Sequence, residues 1–230
     1  DIFSNEYSKS ILELIIGLIS YFIPLTILMT FIWSFANFMV INEKARGNIE
    51  SLLATPLDPK DISTGKSFAV FLPAYIISSF SYLIILLSLN FAVIFPKTGE
   101  FLFPPQALLI GFIINPIFFM GLLFIIVVFS LAANPDIAIA PSFIVGFGLM
   151  LGIPLGLATG AISILSWSFV LWCLAGAAFI WIILIFSFRL LSKEKIIFPA
   201  EGRKIHLIFK LFSVAVFTFF MMVLFINNHV

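Results

Sequence analysis

Apolar positions in this chain come in long unbroken runs, and polar residues gather in the short intervals between them. A run of about eighteen or more apolar residues with few charges is the signature of a transmembrane helix. Six such runs are present, at 14–41, 67–95, 106–133, 137–160, 163–188 and 205–226. At about 1.5 Å per residue, each is long enough for a hydrocarbon core of about 30 Å. Backbone groups in lipid must be satisfied internally, and the ten-residue alternation of a membrane barrel is missing, so helices are predicted. The expected fold class is therefore an all-α polytopic membrane protein with six spans. Pro24, Pro73, Pro116, Pro141 and Pro154 fall inside spans, where neighbouring helices can satisfy the carbonyl that each one frees. Asn134-Pro135-Asp136 reads as a tight turn that caps the fourth span. No charge occurs from 137 to 188, so the connection near 160–166 is expected to be apolar and to dip back into the membrane. The last run, flanked by Lys204, His206 and Lys210, fits either a span or a helix lying at the interface; its apolar far half favours insertion.

The longest polar interval, 42–66, breaks this pattern. It holds Lys44, Arg46, Lys60 and Lys66 together with Glu43, Glu50, Asp58 and Asp61. Ala45, Ile49, Leu52 and Leu53 recur at helical spacing, predicting a helix over 43–54 with one apolar face. Glu43 and Glu50 flank Arg46 at spacings that suit local pairing, and Pro56 ends the helix. Asp58-Pro59-Lys60-Asp61 then reads as the cap and first turn of another helix, leading through Gly65-Lys66 into the second span. Periodicity alone leaves two readings: a helix resting on headgroups, or one seated on a partner.

Composition agrees with the spans, since 62% hydrophobic and 10% charged residues exclude a soluble domain of this length. Ten of the twelve Lys/Arg residues fall on one side if the 42–66 loop is cytoplasmic, leaving Lys9 and Lys97 opposite. That bias orients the chain. No basic stripe tracks phosphates, so nucleic acid is excluded as a partner. Cys173 is the single cysteine, and His206 and His229 lie too far apart for a spaced metal motif. No metal site, cofactor site or catalytic residue is predicted. Gly65-Lys66-Ser67 resembles the end of a phosphate-binding loop, but Lys60 stands where its first glycine belongs. Apart from Glu13, His206 and Lys210 at span edges, the spans carry no charged side chain, which disfavours a proton- or sodium-coupled carrier. Asn37, Asn90 and Asn115 read as helix-packing groups. Gly148, Gly152, Gly156 and Gly160 recur every four residues and form a close-approach stripe, facing either another helix of this chain or a second subunit.

The segment Glu43-Lys44-Ala45-Arg46-Gly47-Asn48-Ile49-Glu50-Ser51-Leu52-Leu53-Ala54-Thr55-Pro56-Leu57, with Ile62 and Gly65-Lys66 after it, resembles the signature loop of the membrane permeases of type-2 ATP-binding-cassette (ABC) exporters. Two departures are an alanine at 45, where a second acidic residue is usual, and Asn48 in place of threonine. The resemblance extends over 1–195. The chain starts at Asp1 where that family has an earlier span, so a truncated N-terminus is expected, and 196–230 adds a C-terminal membrane helix. The resemblance implies a permease subunit that is not itself an enzyme, paired with a second permease subunit. Separate cytoplasmic ATPase subunits would bind ATP and Mg. It implies a coupling helix in which Glu43, Arg46, Gly47, Glu50, Leu52, Leu53, Thr55 and Pro56 meet the ATPase. The glycine stripe would lie near the subunit interface, in a prokaryotic plasma membrane. Rival expectations are a non-transporting membrane anchor or, with no His/Asp/Glu cluster to support it, a membrane enzyme acting on lipid.

Overall fold

The computed structural model describes residues 6–35, 58–132 and 140–190, and they are helical almost throughout. In chain order they form α1 (Glu6–Phe31), α2 (Pro59–Leu89), a π-turn (Asn90–Ile94), α3 (Phe95–Thr98), α4 (Pro105–Leu109), a second π-turn (Ile110–Ile114), α5 (Asn115–Ala132), α6 (Ala140–Ala158) and α7 (Trp167–Leu190). Among the described residues, four stretches are long and apolar enough to cross a membrane: Lys9–Phe35, Pro59–Thr98, Pro105–Ser130 and Trp167–Phe188. The apolar part of α6, Ser142–Ala158, is shorter. The expected sixth span, 205–226, and the Asn134-Pro135-Asp136 turn lie outside the described residues.

Helix starts follow local chemistry, and three of them differ from the hydropathy boundaries. α2 begins at Pro59, so Gly65 and Lys66 lie inside the helix rather than ahead of it. Asp58 is extended (φ −76°, ψ 143°), and its carbonyl, not its carboxylate, accepts the N–H groups of Asp61 (2.9 Å) and Ile62 (3.2 Å). Pro59 suits the first position because its missing N–H would be unpaired there in any case. α7 begins at Trp167 rather than 163 because Ser166 caps it, its Oγ accepting the Phe169 N–H at 3.1 Å. α1 starts at Glu6, eight residues before the apolar run; Lys9 in its first turns pairs with Glu100 at 3.3 Å.

The π-turns at 90–94 and 110–114 end one residue before an X-Pro step, whereas the π-helical residues 32–35 after α1 have no proline near them. The Phe95 N–H donates five residues back to Asn90 O, ahead of Pro96, and the Asn115 N–H donates to Ile110 O, ahead of Pro116. A proline ring crowds the carbonyl four residues before it, and widening the preceding turn relieves that crowding. Pro24, Pro73 and Pro154 sit within α-helical stretches instead.

α5 is the centre of the bundle. Every residue from 121 to 130 is buried, as expected for a helix that is apolar on all sides. α2 packs on α5 through Phe68–Phe124 and Phe71–Phe119 ring contacts. α7 closes on α5 at Gly121, where a Cβ would lie 2.7 Å from Ile180 Cγ2, and the Trp181 indole donates to Ile117 O at 3.2 Å. α1 runs antiparallel to α2: the Tyr82 hydroxyl donates to Ser20 Oγ (2.7 Å) and the Ser78 hydroxyl to Pro24 O (3.4 Å). α6 meets the π-helical residues 32–35 that follow α1, where Trp33 stacks on Phe143 and Phe147. The connection between α6 and α7 turns inward, as its apolar composition predicts. Ala161, Ile162 and Ile164 are buried, and Ile164 fills the notch at Gly17. Gly17 lies eight residues along α1 from Lys9, about 12 Å at helical rise.

Candidate coupling and packing surfaces

The residues expected to touch an ATPase, Glu43, Arg46, Gly47, Glu50, Leu52, Leu53, Thr55 and Pro56, lie outside the described residues. What is described is the element they lead into. From Pro59 the chain continues without a break in helical structure to Thr98, 40 residues. At the Lys60 end of this rod, Lys60, Asp61 and Gly65 are exposed, while Ile62, Ser63 and Ser67 are buried. A Cβ on Gly65 would meet no atom within 4 Å, so its surroundings impose no size limit. The Thr64 hydroxyl turns back to Lys60 O at 2.6 Å. Ser63 and Ser67 bury their hydroxyl oxygens without a hydrogen-bond partner.

Further along, the rod is fastened to α1 and to the second π-turn at one node. Tyr82 is fully buried and reaches Ser20, whose own hydroxyl donates to Ile16 O at 2.6 Å. Gly111 lies against both partners: a Cβ there would sit 2.6 Å from Tyr82 Cε1 and 3.1 Å from Ser20 O. The Ser20 carbonyl is the one that Pro24 deprives of its helical donor. Glycine at 111 thus lets the π-turn approach a kink-prone site in α1. One helical turn on, the Asn115 amide donates to Tyr21 O at 3.1 Å. At the Lys9 end, Asn90 is fully buried; its amide donates to Leu86 O (3.0 Å) and Leu102 O (3.2 Å), and its Oδ1 accepts the Leu102 N–H (2.8 Å). Asn90 and Asn115 therefore hold backbone together, while Asn37 lies outside the described residues.

The glycine stripe divides. Gly148, Gly152 and Gly156 belong to α6, but Gly160 lies beyond its last residue, with φ +75°. There it reverses the chain: its N–H donates to Leu157 O (3.1 Å), and Ile162 N–H reaches back to Gly156 O (3.0 Å). The left-handed conformation is why glycine stands at 160. Gly152 and Gly156 are buried, whereas a Cβ on Gly148 would meet nothing within 4 Å. A close approach in α6 falls at Gly146, where a Cβ would lie 3.0 Å from Trp33 Cζ2 and 3.4 Å from Met29 Sδ. Gly17, Gly111, Gly121 and Gly146 are the packing glycines that four-residue spacing does not reveal. Each meets a large side chain from a distant part of the chain, so no local repeat marks it.

Among the described residues, no group of three or more His, Cys, Asp and Glu side chains comes together. Fold and surfaces together define an all-helical bundle built to lie in a membrane. No protein-family profile, curated protein or solved structure matches this chain.

Proposed function

We propose that this chain is the permease subunit of an ATP-driven exporter resembling the type-2 ABC class. Separate cytoplasmic ATPase subunits hydrolyse ATP, and loop 42–66 passes their motion to the membrane helices. The observation that carries the reading is the residue pattern from Glu43 to Leu57, followed by Gly65-Lys66. The continuous helix behind it supports the reading. Displacement delivered ahead of Asp58 acts on a rod that stays helical to Thr98, and that rod is packed on both α1 and the central α5. A lever of this kind moves as a unit because packed interfaces shift between discrete arrangements rather than deforming smoothly.

In this mechanism the chain binds no nucleotide. The apolar face of Ala45, Ile49, Leu52 and Leu53 seats in a groove of the ATPase, and Arg46 and Glu50 fix its register by charge. A second permease subunit, a copy of this chain or a relative, completes the path, with α6 at their interface. The membrane is a prokaryotic plasma membrane with the loop on the cytoplasmic side. The substrate belongs to the class range of such exporters: drugs, lipids, polysaccharides or ions.

The test places Glu50→Arg and Leu53→Arg separately in the full chain and measures recovery of the ATPase partner and substrate-stimulated ATP hydrolysis in vesicles. Each variant is expected to insert normally, to lose most of the co-purifying ATPase and to lose stimulation. Unchanged co-purification with both variants removes the coupling role.

A further inference from the structure

At the Lys9 end of the bundle the chain makes a tight hairpin-like turn, and four phenylalanines line its outer side. α3 ends at Gly99, which is left-handed with φ +72°. The Thr98 hydroxyl braces the turn by donating to Ile94 O (2.8 Å) and accepting the Glu100 N–H (3.3 Å). Residues 101–104 then form no regular element. Leu102 is buried, while its neighbours Phe101 and Phe103 are exposed. Phe101 packs on Phe91 (ring centroids 5.2 Å), stacks on Phe95 (4.6 Å) and lies near Phe103 (6.3 Å). All four rings are exposed, Phe91 at 61% and the others above 40%.

This cluster is not an isolated patch. It continues the exposed apolar stripe of α2 through Ile76, Phe80, Leu83, Ile84 and Leu87 to Phe91 and Phe95, the face that lipid covers in a membrane helix. We propose that the 99–104 segment lies in the membrane boundary as an amphiphilic shelf. Acyl chains cover Phe91, Phe95, Phe101 and Phe103, and Glu100 faces headgroups and water.

Two further observations support that occupant. Leu102 has both its N–H and its C=O held by the buried Asn90 amide. Irregular backbone in a water-poor zone needs such internal partners, whereas a loop projecting into solvent gets them from water. Depth agrees as well: Lys66 to Phe95 spans about 43 Å of helix, close to the 40–45 Å of a bilayer counted with its headgroup regions, so the two ends fall in opposite interfaces. The exposed Lys9–Glu100 pair marks the polar side of the shelf. The proposal rests on membrane insertion alone and stands or falls independently of coupling to an ATPase.

The test uses the full chain with Cys173→Ala, reconstituted in phosphatidylcholine vesicles. Nitroxide labels are placed at Phe101→Cys, Phe103→Cys and Glu100→Cys, with Ile76→Cys and Lys60→Cys as mid-membrane and aqueous references. Collision of each label with oxygen and with a water-soluble nickel chelate is read by electron paramagnetic resonance. The shelf predicts an oxygen-to-nickel accessibility ratio at 101 and 103 at least about threefold that at 100, and below that at 76, as for a side chain set a few ångström into the acyl boundary. A ratio at 101 and 103 equal to that at 60 means the segment faces water and overturns the proposal. Low accessibility to both reagents means that protein, such as a second copy of the chain, covers the face, and overturns it equally. If Phe101→Cys does not reconstitute, Phe103→Cys carries the same comparison.

Discussion

Gly111→Ala probes the node that joins α1, α2 and the second π-turn. The added methyl would lie 2.6 Å from Tyr82 Cε1, 2.9 Å from Tyr82 Cζ and 3.1 Å from Ser20 O. The tyrosine ring cannot swing aside easily. It is fully buried, packs on Phe112 at 4.8 Å and is tethered to Ser20 by a 2.7 Å hydrogen bond. Overpacking of this kind costs about 1–3 kcal/mol. If the ring moves, the interhelical hydrogen bond goes with it, at about 0.6 kcal/mol for a bond between membrane helices. Reversible unfolding in mixed micelles titrated with dodecyl sulfate measures the loss. Tyr82→Phe alone should cost only the hydrogen-bond share, because Ser20 keeps its own bond to Ile16 O. In a Tyr82→Ala background only the 3.1 Å contact with Ser20 O remains, so Gly111→Ala should cost less than about 1 kcal/mol, and the cycle should be non-additive. A Gly111→Ala variant as stable as the parent, or one equally costly with and without the Tyr82 ring, refutes the reasoning.

Other substitutions separate roles that the sequence pattern runs together. Asn90→Ala leaves the N–H and C=O of Leu102 without their partner and should cost about 1–3 kcal/mol; faster amide hydrogen exchange confined to residues 99–104 and the end of α2 would report it. Gly146→Leu should destabilise the isolated chain because Trp33 and Met29 already fill that space, while Gly148→Leu should leave thermal stability in detergent unchanged. Gly152→Leu should alter the oligomer profile if α6 faces a second subunit; an unaltered profile assigns the stripe to packing within the chain. Glu100→Ala should shift stability by less than about 0.5 kcal/mol, because both partners of its ion pair are exposed.

The spans are legible in sequence because lipid imposes one demand, a long apolar run, on every residue within them. The start of α2 is legible for the same kind of local reason, the Asp58-Pro59 pair. Ends are less so where polar residues remain helical: Lys9 and Glu13 look like the edge of an aqueous segment, yet α1 runs through them. Ser166 is a readable cap that hydropathy overrides, since the apolar run begins before it. The π-turns at 90–94 and 110–114 follow a pattern within reach of sequence, an X-Pro step one residue on, but the π-helical residues 32–35 show that the step is not necessary, and Pro24, Pro73 and Pro154 that it is not sufficient. What local pattern does not carry is pairing at a distance. Asn90 meets Leu102, Gly17 meets Ile164, and Gly111 meets Tyr82 because helices cross there, and neither member signals the other. The glycine stripe shows the converse, since a regular spacing joined a turn glycine at 160 to three helical ones. The 42–66 loop is the limiting case: its chemistry is dense in the sequence, and its residues from 42 to 57 lie outside the described ones.

The account turns on whether this bundle works with a separate ATPase. The direct measurement is purification of the full chain from its native membranes in mild detergent, with mass spectrometry of every protein, lipid and small molecule retained. The account predicts a nucleotide-binding ATPase in stoichiometric amount, released when Leu53 is replaced by arginine. Recovery of the intact chain with no ATPase, from membranes where it is normally expressed, would contradict it.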